Sequence, residues 1–129
     1  MKLIAQGAEA KIYESGSKIV KDRIKKGYRL PEIDKKLRRT RTRAEARLIR
    51  MASRAGVPVP KILEVDDKQM KLEIENIEGT KVRDVLTPEM CKLIGKELLK
   101  LHKANIVHGD LTTSNMILRG KEVVLIDFG

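Results

Sequence analysis

The sequence has few aromatic residues, a single cysteine, no long apolar run and, in one stretch, almost no acid. Tyr13, Tyr28 and Phe128 are its only aromatics, 2% of 129 residues, and tryptophan is absent. Stacking of bases on aromatic rings is therefore excluded as the main way of holding single-stranded nucleic acid. Cys91 stands alone, so no internal disulfide forms and nothing points to an oxidising compartment. No apolar stretch approaches the roughly 18 residues of a membrane span, and no signal peptide opens the chain. The expectation is a soluble, cytoplasmic protein with no membrane partner. Gln and Cys are rare while Lys, Arg and Glu abound, a composition that fits a heat-adapted source.

What is present is positive charge. The net charge is +10, and between Lys35 and Arg54 nine Lys or Arg residues face a single acid, Glu45. Such a stretch is either a solvated face or a contact for phosphate backbones or an acidic partner, and any RNA contact through it is electrostatic and salt-sensitive.

Short β-prone pieces at Lys2 to Ala5, Ala10 to Ser15 and Lys18 to Lys21, separated by Gly7 and by Ser15-Gly16-Ser17, predict an antiparallel meander. From Pro31 to Ala55 Leu37, Ala44, Leu48, Ala52 and Ala55 recur at helical spacing, and Gly56 supplies a stop, so one long basic helix is predicted. Val57-Pro58-Val59-Pro60 breaks it, and Lys61 to Val65 and Met70 to Ile74 read as two more strands. Thr87-Pro88-Glu89 is a helix start, with Thr87 as N-cap and Pro88 in the first turn; Met90, Ile94, Leu98 and Leu101 form its apolar stripe.

The last stretch carries the chemistry. Between Asn115 and Asp127 lie Met116 to Arg119, the turn Gly120-Lys121, and Glu122 to Ile126, a hairpin that returns Asn115 and Asp127 to one end. An amide and a carboxylate there suit Mg²⁺, a hard cation that takes few protein ligands beside substrate phosphates. Asp110, on the loop leaving the preceding helix, is placed to accept a hydroxyl proton or orient a nucleophile.

His108-Gly109-Asp110 with Asn115 five positions on, then Asp127-Phe128-Gly129, resembles the catalytic and metal-binding loops of the protein-kinase superfamily. More narrowly, "KGYRLPEIDKKLRRTRTRAEARLI" and "HGDLTTSNMIL" resemble the small atypical kinase subunit of the KEOPS (EKC) complex, the PRPK family, over nearly the whole chain. The resemblance implies an ATP- and Mg-using serine/threonine-type kinase or ATPase serving a complex that makes threonylcarbamoyladenosine on tRNA, beside a TsaD-like catalytic subunit and a small regulatory subunit, in archaea and eukaryotes. By the same resemblance Lys21 binds phosphate, Glu45 pairs with Lys21, Gly7 and Ala8 lie in a reduced glycine loop over the phosphates, and Glu75 to Ile77 form the adenine-binding hinge. His108 is then an anchor of its loop rather than a catalytic group, and tRNA is a candidate partner of the helix from Lys35 to Arg54.

Two departures qualify the resemblance. Gly7-Ala8-Glu9-Ala10 offers one glycine and an acid where ordinary kinases have G-x-G-x-x-G, and Gly109 replaces the arginine that docks a phosphorylated activation loop. Other readings are a non-catalytic ATP switch or tRNA-binding scaffold, which the reduced loop favours, and a small-molecule kinase of the aminoglycoside or choline type, against which Thr112-Thr113-Ser114 and the basic helix weigh. The predicted fold is α+β and kinase-like: residues 1–76 form an N-terminal lobe with an antiparallel sheet and one long helix, and residues 77–129 the hinge and the start of a helical C-terminal lobe. The chain is expected to be truncated after Asp127-Phe128-Gly129, losing peptide-substrate binding while part of the nucleotide cleft survives.

Overall fold

The computed structural model describes residues 2–7 and 10–128. They fall into two compact units, Met1–Ala46 with Lys61–Asn76 and Arg47–Pro60 with Ile77–Gly129. The lobe division expected from sequence runs straight through residue 76; in the compact units the end of the long helix and the Pro-rich linker group with the later residues.

In the first unit β1 (Lys2–Gln6), β2 (Ala10–Ser15), β3 (Lys18–Arg23), β4 (Ile62–Asp66) and β5 (Lys71–Glu75) form one antiparallel sheet in the order β1-β2-β3-β5-β4. Gly16, at φ 60°, turns β2 into β3 through the two-residue loop that the sequence marks. β1 is an exposed edge strand. Helix α1 (Pro31–Arg54) follows β3. Its buried face only partly follows the stripe read from the sequence: Ala52 is buried, but Leu37, Ala44, Leu48 and Ala55 are half-buried, whereas Asp34, Thr42, Glu45, Ala46 and Ile49 are buried. Polar groups hold the inward positions because each has a partner there. Asp34 accepts from the Lys26 N–H and from Arg29 and Arg38, and Thr42 Oγ1 donates to the Arg38 carbonyl. The Lys26 N–H holds the Asp34 carboxyl below the usual carboxylate range, Arg38 and Arg29 add to this, and burial opposes it.

Gly56 ends α1 at φ 84°, where the Gly56 N–H donates to the Ser53 carbonyl and the Val57 N–H to the Ala52 carbonyl. That is a Schellman closure. Lys100 Nζ takes the remaining Gly56 carbonyl at 3.0 Å. In the second unit the two-residue strand β6 (Thr80–Lys81) leads into a single turn, α2 (Val82–Val85), and then α3 (Pro88–Lys103). Thr87 Oγ1 caps α3 by accepting from the Met90 N–H, and Asn105 at φ 57° closes it with the same Schellman pattern that Gly56 gives α1. A 3₁₀ turn (Thr113–Asn115) opens the hairpin of β7 (Met116–Arg119) and β8 (Glu122–Leu125), and the sheet order is β6-β7-β8. The hairpin is the one the sequence predicts; β6 and α2 are not foreshadowed there. A Cβ at Gly79 would collide with the Leu118 carbonyl, so the glycine is what lets the chain approach β7. The core of this unit is dry, with Ala52, Val82, Val124, Leu125 and Phe128 at 0% exposure. No helix among the described residues is long and apolar enough to cross a membrane.

Candidate active site

The site residues read from the sequence sort by unit. Gly7, Lys21, Glu45 and Glu75 belong to the first, and Ile77, Asp110, Asn115 and Asp127 to the second. Ala8, and Glu9 beside it, lie outside the described residues.

In the first unit β3 alternates its side chains about the sheet, which turns Ile19, Lys21 and Arg23 to one face. Across from them α1 places Glu45 inward. Lys21 Nζ lies 3.1 Å from Glu45 Oε2, and Arg23 Nη2 lies 2.9 Å from Glu45 Oε1. Glu45 is 2% exposed. The lone acid of the basic stretch is therefore no surface ion pair; it is a buried carboxylate shared between two cations, and a buried charge persists only when compensated in this way. Arg23 is the residue the sequence reading missed. Its signal was weak but present, since period 2 along β3 puts positions 19, 21 and 23 on one face. Arg38 Nη1 in turn approaches the Arg23 carbonyl at 3.5 Å while its Nε pairs with Asp34 at 2.7 Å, so the ion pair is braced from the first turns of α1. Gly7 is exposed and its N–H donates to the Ala10 carbonyl at 3.0 Å. The Glu75 N–H donates to the Lys61 carbonyl and Glu75 Oε1 accepts from the Lys61 N–H, which leaves the residue committed to the β4 end of the sheet.

In the second unit the loop after α3 is set by hydrogen bonds over short sequence distances. His108 Nε2 lies 2.7 Å from the Ile126 carbonyl, and the Asp110 N–H donates to His108 Nδ1 at 3.2 Å. A carbonyl only accepts, so both contacts are satisfied together by the Nε2–H tautomer. The ring also packs on Phe128, centroid to centroid 4.4 Å. Gly109 takes φ 98°, a conformation open to glycine, and so brings Asp110 round to the His108 ring. Asn115 Nδ2 donates to the Asp110 carbonyl at 2.9 Å and to Asp110 Oδ2 at 3.1 Å. With the amide nitrogen so used, the side-chain oxygen is the end left to accept. The Ile126 N–H donates to the Asn115 carbonyl, which continues the hairpin ladder by one residue and sets Asp127 next to the Asn115 level. Asp127 itself sits at φ 60°, a left-handed conformation that costs a non-glycine residue on the order of 1–3 kcal/mol and that clusters at functional sites. Ile77 is buried. An amide oxygen and a carboxylate fit Mg²⁺, which prefers a small number of hard oxygen ligands, and not a softer metal that would call for His or Cys. Among the described residues no cluster of three or more His, Cys, Asp or Glu offers an all-protein metal cage.

A five-stranded antiparallel sheet with one long helix, followed by a capped helix and a loop-hairpin with this arrangement, defines a protein-kinase-like fold. Solved structures agree: the Rio2 kinase from Chaetomium thermophilum superposes with a TM-score of 0.77 at 18% identity, over 99% of this chain and 49% of that one. Its ADP/Mg²⁺-phosphoaspartate complex gives 0.75 at 19% identity, over 99% of this chain and 48% of that one. The chain belongs to the RIO domain family, which matches residues 7–129. Among its relatives, the KEOPS complex subunit Bud32 of Pyrococcus abyssi is 51% identical over all of this chain and 66% of its own length. A probable bifunctional tRNA threonylcarbamoyladenosine biosynthesis protein of Methanothermobacter thermautotrophicus is 50% identical over 98% of this chain and 25% of its own. The chain thus spans less than two thirds of the length of these relatives.

Proposed function

We propose that this chain is the nucleotide-binding part of a RIO-type kinase or ATPase subunit of a KEOPS-type complex, working with Mg-ATP in the threonylcarbamoyladenosine modification of tRNA. The observation that carries the reading is the Asn115 side chain, whose Nδ2 donates to the Asp110 carbonyl and to Asp110 Oδ2, in a hairpin whose other strand leads into Asp127. Family membership and the roles named for the relatives support it.

In the mechanism, Lys21 holds a phosphate of ATP and Glu45 fixes the direction of Lys21, with Arg23 on the second carboxylate oxygen. The loop that begins at Gly7 is assigned to the phosphates, and the backbone of Glu75 and Ile77 to the adenine. Asn115 and Asp127 hold Mg²⁺, whose chemistry is to neutralise charge on the phosphate oxygens. Asp110 accepts the proton of the attacking hydroxyl or water as its oxygen bonds to the γ-phosphorus and the bond to the bridging oxygen of ADP breaks. Positioning and electrostatics supply most of the rate. The complex partners are a TsaD-like catalytic subunit and a small regulatory subunit, with tRNA contacted through α1 and the protein working in the cytoplasm.

The single glycine of the Gly7 loop favours a second reading, in which ATP hydrolysis or binding acts as a switch and protein phosphorylation is incidental. Phosphate release from labelled Mg-ATP, with and without tRNA and the complex subunits, separates the two. Release stimulated by tRNA with no labelled protein supports the ATPase; a labelled serine or threonine independent of tRNA supports the kinase. Asp127→Ala abolishes turnover in either case, and full turnover in that variant sinks the assignment.

A further inference from the structure

Positions on an α-helix advance by about 100° each. On α1 this gathers Lys36, Arg39, Arg43, Arg47, Arg50 and Arg54 into one sector about 80° wide and about 27 Å long, with Asp34, Glu45 and Ala52 on the opposite side. Glu32, one turn earlier, bounds the sector at its N-terminal end. Arg39 is half-buried and the other five cations are exposed. Asp67, in the β4–β5 turn, takes Arg43 Nε on its carboxylate at 2.6 Å and Arg39 Nε on its carbonyl at 3.1 Å. For Lys36, Arg47, Arg50 and Arg54 there is no carboxylate partner among the described residues.

A merely solvated face would be expected to alternate signs, since unlike charges four apart support a helix and like charges weaken it. Here five of the six are arginine, whose planar fork meets phosphate oxygens two at a time. The sector contains no aromatic to stack on a base, no Asn or Gln to read a base edge, and no large apolar side chain to anchor in a protein pocket. Charge without stacking or readout suits a rigid polyanion recognised by its backbone.

We infer that this face of α1 binds the sugar–phosphate backbone of double-helical RNA, sequence-independently. The inference rests on the tRNA partner proposed above and narrows the run from Lys35 to Arg54 to one face, from which Lys35, Arg38 and Arg41 are excluded by their angles. Asp67 competes with phosphate for Arg39 and Arg43, so Arg47, Arg50 and Arg54 make the main contact.

The test is fluorescence anisotropy of a labelled RNA duplex, a single strand of the same length and a tRNA transcript with the full chain, across a salt series. The triple variant Arg47→Gln, Arg50→Gln, Arg54→Gln is compared with Lys92→Gln, Lys96→Gln, Lys121→Gln, which removes as many exposed charges elsewhere; thermal melts check that both fold, and Arg50→Glu alone serves as a milder second probe. The expected result is a loss of about tenfold or more for duplex and tRNA in the helix variant, with the slope of log K against log salt reduced by about 2–3, and a change within about twofold in the lysine variant. Equal losses in the two variants would reduce the effect to overall charge and overturn the assignment. Unchanged binding in both, with wild-type protein binding tightly, would also overturn it and leave the tRNA partner standing, whereas no binding by wild-type protein would remove both. Single strand bound as tightly as duplex, or displacement by polyglutamate at matched charge, would overturn the choice of duplex RNA.

Discussion

The two units are held together by different physics. Among the described residues the first buries only Ala10, Val20, Ala46, Met70, Leu72 and Ile74 as apolar core, and it also buries Arg23, Asp34, Thr42 and Glu45. The second buries about twice as many apolar side chains, with Glu97 and His108 as its buried polar groups. A thin sheet backed by a single helix cannot supply a thick apolar layer, so ion pairs take inward positions that aliphatic side chains fill elsewhere. The same pairs orient Lys21, and the stability of the first unit is thereby tied to the state of its candidate site. In the second unit the candidate carboxylate Asp110 is exposed, and its backbone is held by hydrogen bonds to His108 and Asn115.

The largest effects test this contrast directly. Glu45→Gln leaves Lys21 and Arg23 facing a neutral amide and should cost about 3–5 kcal/mol, read by denaturant unfolding; adding Arg23→Met should cost less than that change does alone, because the second cation no longer needs a partner. An additive result would break the picture of a shared carboxylate. Phe128→Ala should cost a comparable 3–5 kcal/mol through the cavity it leaves, yet without the salt dependence of the Glu45 variant. Next comes pH. The Asp34 carboxyl titrates below its unfolded range, so the unfolded chain binds the proton first, and the stability this group gives is present above the usual carboxylate range and lost as pH falls through its lowered pKa. Asp34→Asn should be less stable at neutral pH and show a flatter acid limb in a plot of melting temperature against pH; parallel acid limbs would sink the assignment. The smallest effect belongs to the exposed pair Arg119–Glu122 on the hairpin, where Arg119→Ala should change stability by at most about 0.5 kcal/mol.

How much of this was legible in the sequence followed the range of the interactions. Thr87 and Pro88 announce α3, and the spacing from Asn115 to Asp127 announces the hairpin, because caps and two-residue turns are decided within a few positions. The position of Glu45 in a long helix was readable; that its second oxygen belongs to Arg23 was not, because the partner lies 22 residues away and is fixed only when helix and sheet pack. The inward turn of Asp34 and Thr42 on α1 has another origin: their partners Lys26, Arg29 and Arg38 lie within eight residues, but hydrogen bonds between polar side chains and nearby groups leave no hydrophobic period to read. β6, two residues long, has no periodicity to detect.

Gly79 lies against Leu118, roughly 40 residues further along the chain, and closing a loop of that length is entropically slow compared with the formation of a two-residue hairpin, which takes about 1–10 μs. In kinetic terms the β7–β8 hairpin can form early and β6 joins it late. A methyl group at position 79 would then act on the native state and hardly on the folding nucleus: Gly79→Ala should raise the unfolding rate while leaving the folding rate nearly unchanged, so that one missing side chain sets how long the assembled three-stranded sheet persists.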